Sequence, residues 1–148
     1  MYLLSIYYKI INILLGFDSN TEKIANLILE GIEVEGKKAE LVEVSSVSLD
    51  DAKNEEILIL GCSAYGSEEL DESEMEPFVK SLEGNIQGKK VALFGSWGWG
   101  NGEWMTEWEK RMESYGATLI SEGLTVQEYP EGEDEDKCRD FGKLIAKS

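Results

Sequence analysis

The sequence feature that most constrains the fold is a short apolar run that stops abruptly at a glycine-rich stretch. Residues 91–94 are continuously apolar, which is typical of a strand buried on both faces of a sheet. Residues 95–102 follow as GSWGWGNG, so glycines bracket Trp97 and Trp99 and let the backbone approach a ligand closely. A helical pattern then begins at Trp104. A strand, a glycine-rich turn and a helix in this order place the turn at the carboxyl edge of a sheet, where open α/β folds bind ligands.

The tryptophans of this stretch have two alternative interpretations, as core residues or as ligand contacts. Trp104 and Trp108 stand at helical spacing, and we expect them in the core. Trp99 has a glycine on each side, which favours a ring that faces a ligand.

Strand patterns alternate with helical patterns along the whole chain. The predicted elements are a first strand ending at Leu15, a helix from about Asp18–Thr21 to Gly36, strands over Ala39–Val44 and Ile57–Leu60, a helix over Met75–Leu82, a strand over Val91–Phe94, a helix ending at Tyr115, a strand over Ala117–Val126 and a helix over Asp134–Ala146. This alternation predicts an α/β fold, a three-layer sandwich with a five-stranded parallel sheet in the order 2-1-3-4-5. In that order, the loops after the first, third and fourth strands meet in one crevice.

Length, charge and composition exclude several classes of function. The 148 residues suit a single domain over 1–148. A formal charge of −16 argues against nucleic acid as a ligand, and the absence of histidine argues against hydrolytic triads and zinc sites. Cys62 and Cys138 are too few for a disulfide framework, so we expect two buried thiols in a reducing cytoplasm.

The apolar opening of the chain is the one stretch that could suggest a membrane. Residues 1–17 read MYLLSIYYKIINILLGF, which contains Lys9 and Asn12 and lacks a basic amino-terminal flank. The stretch is short for a membrane span and poorly built for a signal peptide. We interpret it as an extended first strand with extra apolar residues before it, and expect no association with a membrane.

The three convergent loops together suit a ligand with a phosphate at one end and a flat ring at the other. Ser19, Asn20 and Thr21 open a helix, where free N–H groups and hydroxyls can bind a phosphate without lysine or arginine. Tyr65 and Trp99 offer two aromatic faces that can sandwich a planar heterocycle. This combination is the outline of flavin mononucleotide (FMN).

Four segments make the chain resemble a short-chain flavodoxin of the clostridial type. They read NTEKIA, ILILGCSAYGSEELDESEMEPF, GKKVALFGSWGWGNGEWM and YGATLI, and the likeness runs from Asn20 to the carboxyl terminus. The resemblance implies a low-potential one-electron carrier that holds FMN without a covalent bond. Such a carrier shuttles electrons between redox enzymes in place of ferredoxin and is not itself an enzyme.

The resemblance also implies roles for residues of two loops. Trp99 matches the tryptophan that stacks on the outer face of the flavin ring, and Tyr65 matches the residue that covers the inner face. Gly66 and Ser67 match the peptide that turns over when the flavin is reduced. Glu68 matches the acid that holds the ring through hydrogen bonds.

Further matching positions lie along the edge of the ring and near the phosphate. Gly98 and Gly100 match backbone positions at the pyrimidine edge, and Ser63 matches a hydroxyl that reaches toward the phosphate. The predicted cofactor-binding residues are Ser19, Asn20, Thr21, Ser63, Ala64, Tyr65, Gly66, Ser67, Glu68, Ser96, Trp97, Gly98, Trp99 and Gly100. We expect no catalytic residue and no metal ligand.

The phosphate loop is where the sequence departs from the family pattern. Residues 16–21 read GFDSNT, and of the family's serine and threonine positions only Thr21 keeps its place. Asp18 stands where a phosphate-binding threonine is expected, and its carboxylate would repel a phosphate nearby. Three interpretations stay open: a different register of phosphate binding, a reduced affinity, or an altered amino terminus on an ordinary frame.

Two other classes of protein share this topology. A flavin-free binding module with a degenerate phosphate loop is the main alternative, and a colourless purified protein would favour it. A phosphoacceptor receiver domain would need an aspartate at the end of the third strand, where Gly61 and Cys62 stand instead. For the electron carrier, the negative charge predicts redox partners with basic docking surfaces, and we expect a monomer.

Overall fold

The computed structural model describes residues 10–14, 19–43, 48–53, 55, 57–64, 75–97 and 103–148. Within these residues the strands are β1 (Ile10–Leu14), β2 (Ala39–Glu43), β3 (Ile57–Ala64), β4 (Lys90–Trp97), β5 (Thr118–Leu119) and β6 (Leu124–Gln127). The helices are α1 (Ser19–Val34), α2 (Leu49–Lys53), α3 (Met75–Ser81), α4 (Glu103–Ser114) and α5 (Glu133–Ala146).

The strands form one parallel sheet in the order β2-β1-β3-β4-β5, with β6 also paired to β4. The change of direction in this order falls at β1 and β3, because β2 lies on one side of β1 while the later strands extend on the other. Open α/β sheets bind ligands at such a switch point, beyond the carboxyl ends of the strands. The α/β class and the parallel sheet expected from the alternating patterns are confirmed.

Helices cover both faces of the sheet, so the core consists of two hydrophobic clusters. On one face Leu58 and Leu60 of β3 lie in a cluster with Trp108 of α4. On the other face Ile59 of β3 lies in a cluster with Ile28 of α1 and with residues of α5. Successive residues of β3 thus point to opposite faces and are buried on both, which explains why its sequence is continuously apolar.

Two glycines allow α1 and α5 to pack with their backbones close together. A Cβ atom at Gly31 would meet the carbonyl oxygen of Arg139, and a Cβ at Gly142 would meet the carbonyl oxygen of Ile28. No larger residue fits either position without moving one helix. This contact fixes α1, whose amino terminus lies beside the carboxyl edge of the sheet.

The two central strands continue past the ends expected from the sequence. The strand predicted to stop at Leu60 runs to Ala64, and the one predicted to stop at Phe94 runs to Trp97. The glycines that suggested the start of loops serve packing instead. A Cβ at Gly61 would meet the ring of Phe94, and a Cβ at Gly95 would meet the carbonyl oxygen of Cys62 and the Trp104 ring.

The fifth strand is divided, whereas the sequence predicted one strand over Ala117–Val126. Val91 pairs with Leu119 and Phe94 pairs with Leu124, so the chain contains two more residues on this side of the ladder than on β4. Residues 120–123, between β5 and β6, have no register partner on β4. Within this stretch, the N–H of Gly123 donates to Oε2 of Glu109 on α4 at 2.6 Å. The sheet therefore contains β5 and β6 where one strand was expected.

The link after β2 differs from the prediction, whereas the start of the chain agrees with it. The polar link contains the short helix α2, which a reciprocal cap begins: the Asp51 N–H donates to Ser48 Oγ at 3.1 Å, and the Ser48 N–H to Asp51 Oδ2 at 3.4 Å. The described part of the apolar opening is β1, as the interpretation of a first strand required. Among the described residues, no helix combines the length and apolar character needed to cross a membrane.

Candidate functional site

The carboxyl ends of β1, β3 and β4 meet at one edge of the sheet. Among the described residues, the ladder between β1 and β3 reaches the pair Leu14 and Gly61, and the ladder between β3 and β4 reaches the pair Ala64 and Trp97. Because α1 follows β1 in the chain and begins at Ser19, its amino terminus belongs to the same edge. The order of the strands switches direction between β1 and β3, and ligands bind at such a switch point.

The first turn of α1 supplies polar groups to this edge of the sheet. The first turns of a helix carry backbone N–H groups that have no acceptor within the helix, and these attract anions. Thr21, in this turn, is fully buried at 0% exposure, and Asn20 is half-buried. Buried threonine and helix N–H groups are a set of donors that fits a phosphate.

Four predicted residues lie side by side at the ends of β3 and β4. Ser63 is the register partner of Ser96, and Ala64 is the register partner of Trp97. The structure therefore brings together the ends of the two predicted ring-binding loops. These residues were expected in loops, and they lie instead at the ends of β3 and β4 because the ladder between the two strands continues that far.

The hydroxyl of Ser96 has a protein partner at this edge. Ser96 is 3% exposed, and its Oγ donates to the carbonyl oxygen of Glu128 at 3.1 Å. The N–H of Glu128 in turn donates to the carbonyl oxygen of Trp97 at 2.8 Å. Glu128 has a φ of 60°, a left-handed conformation that non-glycine residues rarely adopt. Nothing in the sequence signals this residue, since left-handed turns usually contain glycine or asparagine.

Trp104 and Trp108 belong to the core, as their helical spacing predicted. They are 4% and 1% exposed, with ring centroids 6.1 Å apart. Neither indole N–H has a hydrogen-bond partner among the described residues. Trp104 packs over Gly95, so α4 starts directly against β4. The segment 98–102 therefore connects two fixed points.

The predicted cofactor-binding residues fall into two groups. The structure describes Ser19, Asn20, Thr21, Ser63, Ala64, Ser96 and Trp97, all at the carboxyl edge. Outside the described residues lie Tyr65, Gly66, Ser67, Glu68, Gly98, Trp99 and Gly100. The segments that contain this second group follow β3 and β4 directly, so they leave from the same edge.

The rim of this edge is acidic where α5 begins. Residues 133–136 are all carboxylates in the first turn of α5, where the helix dipole favours negative charge. Lys23 of α1 lies 3.6 Å from Glu135, and Arg139 contacts carboxylates of both helices at 3.4 to 3.9 Å. Among the described residues, no cluster of acids or thiols could hold a metal ion.

Comparison with known proteins shows one consistent family. Residues 18–142 match the flavodoxin family. The chain is 52% identical over 127 residues to a flavodoxin of Clostridium beijerinckii, covering 86% of this chain and 91% of that protein. It is 43% identical to a flavodoxin of Megasphaera elsdenii, covering 87% of this chain and 92% of that protein.

Solved structures agree with the sequence comparison. The solution structure of two-electron-reduced Megasphaera elsdenii flavodoxin superposes with a TM-score of 0.84 at 40% identity, covering 93% of this chain and 99% of that one. A flavodoxin from the domain Archaea also superposes with a TM-score of 0.84, at 30% identity, covering 94% and 96% of the two chains. The family match begins at residue 18, yet β1, which precedes it, is an interior strand of the sheet between β2 and β3.

Proposed function

The chain belongs to the flavodoxin family, whose members are FMN-binding electron carriers and not enzymes. We propose that it holds FMN at the carboxyl edge of the sheet, at the switch point between β1 and β3. The observation that carries this proposal is the convergence of the amino terminus of α1 with the ends of β3 and β4 at one edge. When bound, FMN supplies the redox chemistry by taking up and giving up electrons. The protein binds the group, orients it and sets the charge around it.

The described residues offer groups for the phosphate end of FMN. The first turn of α1, with buried Thr21, offers N–H and hydroxyl donors for a phosphate. The segments that follow β3 and β4 leave from the carboxyl ends of these two strands, at the same edge of the sheet. We assign the phosphate to Ser19, Asn20, Thr21 and Ser63.

The ring system is assigned to the segments that follow β3 and β4. We propose that Tyr65 and Trp99 cover its two faces, since aromatic rings stack on planar heterocycles. Glu68 would accept hydrogen bonds from the ring. The remaining predicted contacts are Ala64, Gly66, Ser67, Ser96, Trp97, Gly98 and Gly100. The support for these assignments is the match of the sequence motifs to the family.

The negative charge of the chain affects both the flavin and its partners. A formal charge of −16 disfavours the addition of further negative charge to a bound group, so we expect the second electron to be added at a low potential. The partners are redox proteins. We propose that they dock through basic surfaces, because opposite charges accelerate association.

We also propose that residues 1–148 act as one domain and as a monomer in the cytoplasm. The cysteine content supports this compartment, since the two cysteines, Cys62 and Cys138, are too few for a disulfide framework. Disulfide frameworks are usual in oxidising compartments and rare in the cytoplasm.

Titration of the flavin-free full chain with FMN tests the proposal. We expect quenching of FMN fluorescence with a stoichiometry of one, and a yellow protein on purification. A parallel titration with riboflavin, which lacks the phosphate, should show weaker binding. An absence of quenching at micromolar FMN would overturn the proposal and revive the flavin-free module, which the family match does not favour.

A further inference from the structure

The end of β4 is held by the turn that follows β6. Ser96 Oγ donates to the carbonyl oxygen of Glu128 at 3.1 Å, and the Glu128 N–H donates to the carbonyl oxygen of Trp97 at 2.8 Å. The two hydrogen bonds run in opposite directions between the same two segments. We call this pair of contacts the edge clamp. It holds the last two residues of β4 before the glycine-rich segment 98–102.

The edge clamp includes a strained backbone. Glu128 has a φ of 60°, and it is the one non-glycine residue with positive φ in the part of the chain that the structure describes. A left-handed conformation is unfavourable for a residue with a Cβ atom, because the Cβ lies too close to the following carbonyl oxygen. Such strain persists where the surroundings determine the backbone, and it is concentrated near functional sites. Here the surroundings are buried Ser96 and the end of β4.

The edge clamp lies directly before the segment 98–102, which contains Trp99. The described residues at both ends of this segment are held by contacts with the rest of the domain. The far end is fixed by α4, where Trp104 packs over Gly95. The near end is Trp97, whose carbonyl oxygen is one of the two acceptors in the edge clamp.

We propose that Ser96 and Glu128 are positioning residues for the FMN site, acting through the segment that contains Trp99. The inference rests on the proposed function, because it assigns the Trp99 ring to a face of the flavin. Ser96 acts through its hydroxyl and Glu128 through its backbone. The hydroxyl of Ser96 thus holds the end of β4, which leaves the backbone of Ser96 for the flavin contact proposed above. Glu128 requires no particular side chain for this role, only one that tolerates a left-handed conformation.

The first test compares Ser96→Ala with the parent, using the full chain purified with its FMN. We expect FMN binding to weaken by up to roughly fivefold, which is the full value of one buried hydrogen bond of about 1 kcal/mol. The flavin-free protein loses the same bond, and only the difference between the two losses changes the affinity. Release of FMN on serial dilution measures this change. The residual fluorescence of bound flavin should also rise, because a misplaced Trp99 ring quenches it less. Ser96→Thr keeps the hydroxyl and should restore both values toward those of the parent.

A matched control separates positioning from stability. Ser81 Oγ donates to the carbonyl oxygen of Phe78 at 2.6 Å, in a bond within α3 that does not involve β4. Ser81→Ala removes the same type of bond and should leave FMN release and flavin fluorescence as in the parent.

Variants of Glu128 test the backbone half of the edge clamp. Glu128→Val places a β-branched residue at positive φ and should weaken FMN binding several-fold, whereas Glu128→Gly should weaken it less, since glycine adopts this conformation freely. In the double variant Ser96→Ala, Glu128→Val, the fold-loss of FMN affinity should be smaller than the product of the two single fold-losses, because both changes break the same edge clamp.

The outcomes distinguish this inference from the proposed function. A parent protein that fails to bind FMN overturns both. A parent that binds FMN, with Ser96→Ala indistinguishable from it in FMN release and flavin fluorescence, overturns the edge clamp alone. Equal losses in Ser96→Ala and Ser81→Ala would also overturn it, because the effect would then reflect general stability.

Discussion

Arg111 of α4 donates through Nη1 to Oε2 of Glu76 of α3 at 2.6 Å, and through Nε to the Tyr115 hydroxyl at 2.9 Å. The hydrogen bond to Glu76 is the main reason that the pKa of Arg111 lies above its ordinary value. Glu76 is in the first turn of α3, so the pair joins the two helices that follow the proposed flavin-binding segments. The guanidinium makes the two bonds from two different nitrogens, an arrangement that the single nitrogen of an ammonium does not reproduce.

We expect Glu76→Gln to lower the free energy of unfolding by about 1 kcal/mol. The loss is modest because the Arg111 and Glu76 side chains are 27% and 39% exposed. Urea unfolding at a fixed excess of FMN measures it. Arg111→Lys should be at least as damaging, since it also loses the bond to Tyr115.

Arg139→Gln serves as the control for this ion pair. Its carboxylate partners lie at 3.4 to 3.9 Å, and two of them, Glu30 and Asp136, are 56% and 78% exposed. Long exposed pairs contribute little, so the change should stay within about 0.5 kcal/mol. An equal loss in Glu76→Gln and Arg139→Gln would contradict the assigned importance of the short pair.

Gly142→Ala should destabilise the protein even though alanine favours helices. Alanine gains about 1 kcal/mol over glycine in an open helix. Here its Cβ would meet the carbonyl oxygen of Ile28, so α1 and α5 must separate. We expect a net loss of about 2 kcal/mol from this overpacking. Thermal unfolding measures it.

Asp140→Ala is the matched control on the same helix, because Asp140 is exposed. It should change the midpoint of unfolding much less. If Gly142→Ala raised the midpoint instead, the close approach of the two backbones would be wrong. FMN must be kept at the same excess throughout, since a bound ligand stabilises the folded state.

Periodicity predicted most of the fold because burial and secondary structure share the same spacing. The pattern Ile24, Leu27, Ile28 and Ile32 predicts the buried face of α1, and all four are buried. The end of α1 follows from Gly36, which has a φ of 82° and an N–H that donates to the Glu33 carbonyl at 2.9 Å.

Glycine was the source of the main errors at the site. Gly61 and Gly95 were interpreted as loop residues, yet both lie inside strands where another segment approaches closely. The sequence does not distinguish a glycine needed for a turn from one needed for packing. Glu128 carries no signal at all, because its unusual backbone depends on Ser96 and Trp97, which are distant in sequence. The interruption before β6 likewise depends on a contact of Gly123 with Glu109.

The Cys138 thiol should make the stability of the protein fall at high pH. Burial, with a further contribution from Asp134, raises the pKa of this thiol from 9.0 to about 11. The folded state therefore retains the proton while the unfolded state releases it. This contribution is fully present below pH 9.0 and is lost as the pH rises through about 11.

The effect can be isolated in a background that contains Cys62→Ala, where Cys138 is the remaining thiol of the two in the sequence. The difference in unfolding free energy between this variant and one that also contains Cys138→Ala should decrease from pH 9.0 to about 11. Cys138 should also resist iodoacetamide at pH 8 until the protein is unfolded, because a buried protonated thiol is a poor nucleophile. A constant difference across this pH range, or rapid alkylation of the native protein, would show that the thiol is accessible.

Asp18→Thr addresses the departure from the family's phosphate loop. Asp18 immediately precedes α1 and lies outside the described residues, so its effect on the phosphate is a prediction from sequence. A carboxylate near a phosphate repels it, and at about 4 Å the repulsion reaches several kcal/mol at an intermediate dielectric. Screening by water and salt reduces this repulsion. We therefore expect roughly tenfold tighter FMN binding in the variant, a change of about 1.4 kcal/mol. Riboflavin, which lacks the phosphate, should bind the variant and the parent alike. Raising the salt concentration should shrink the gain for FMN, because screening already weakens the repulsion in the parent. Equal changes for FMN and riboflavin would show that the phosphate lies away from Asp18 and that the loop binds it in another register.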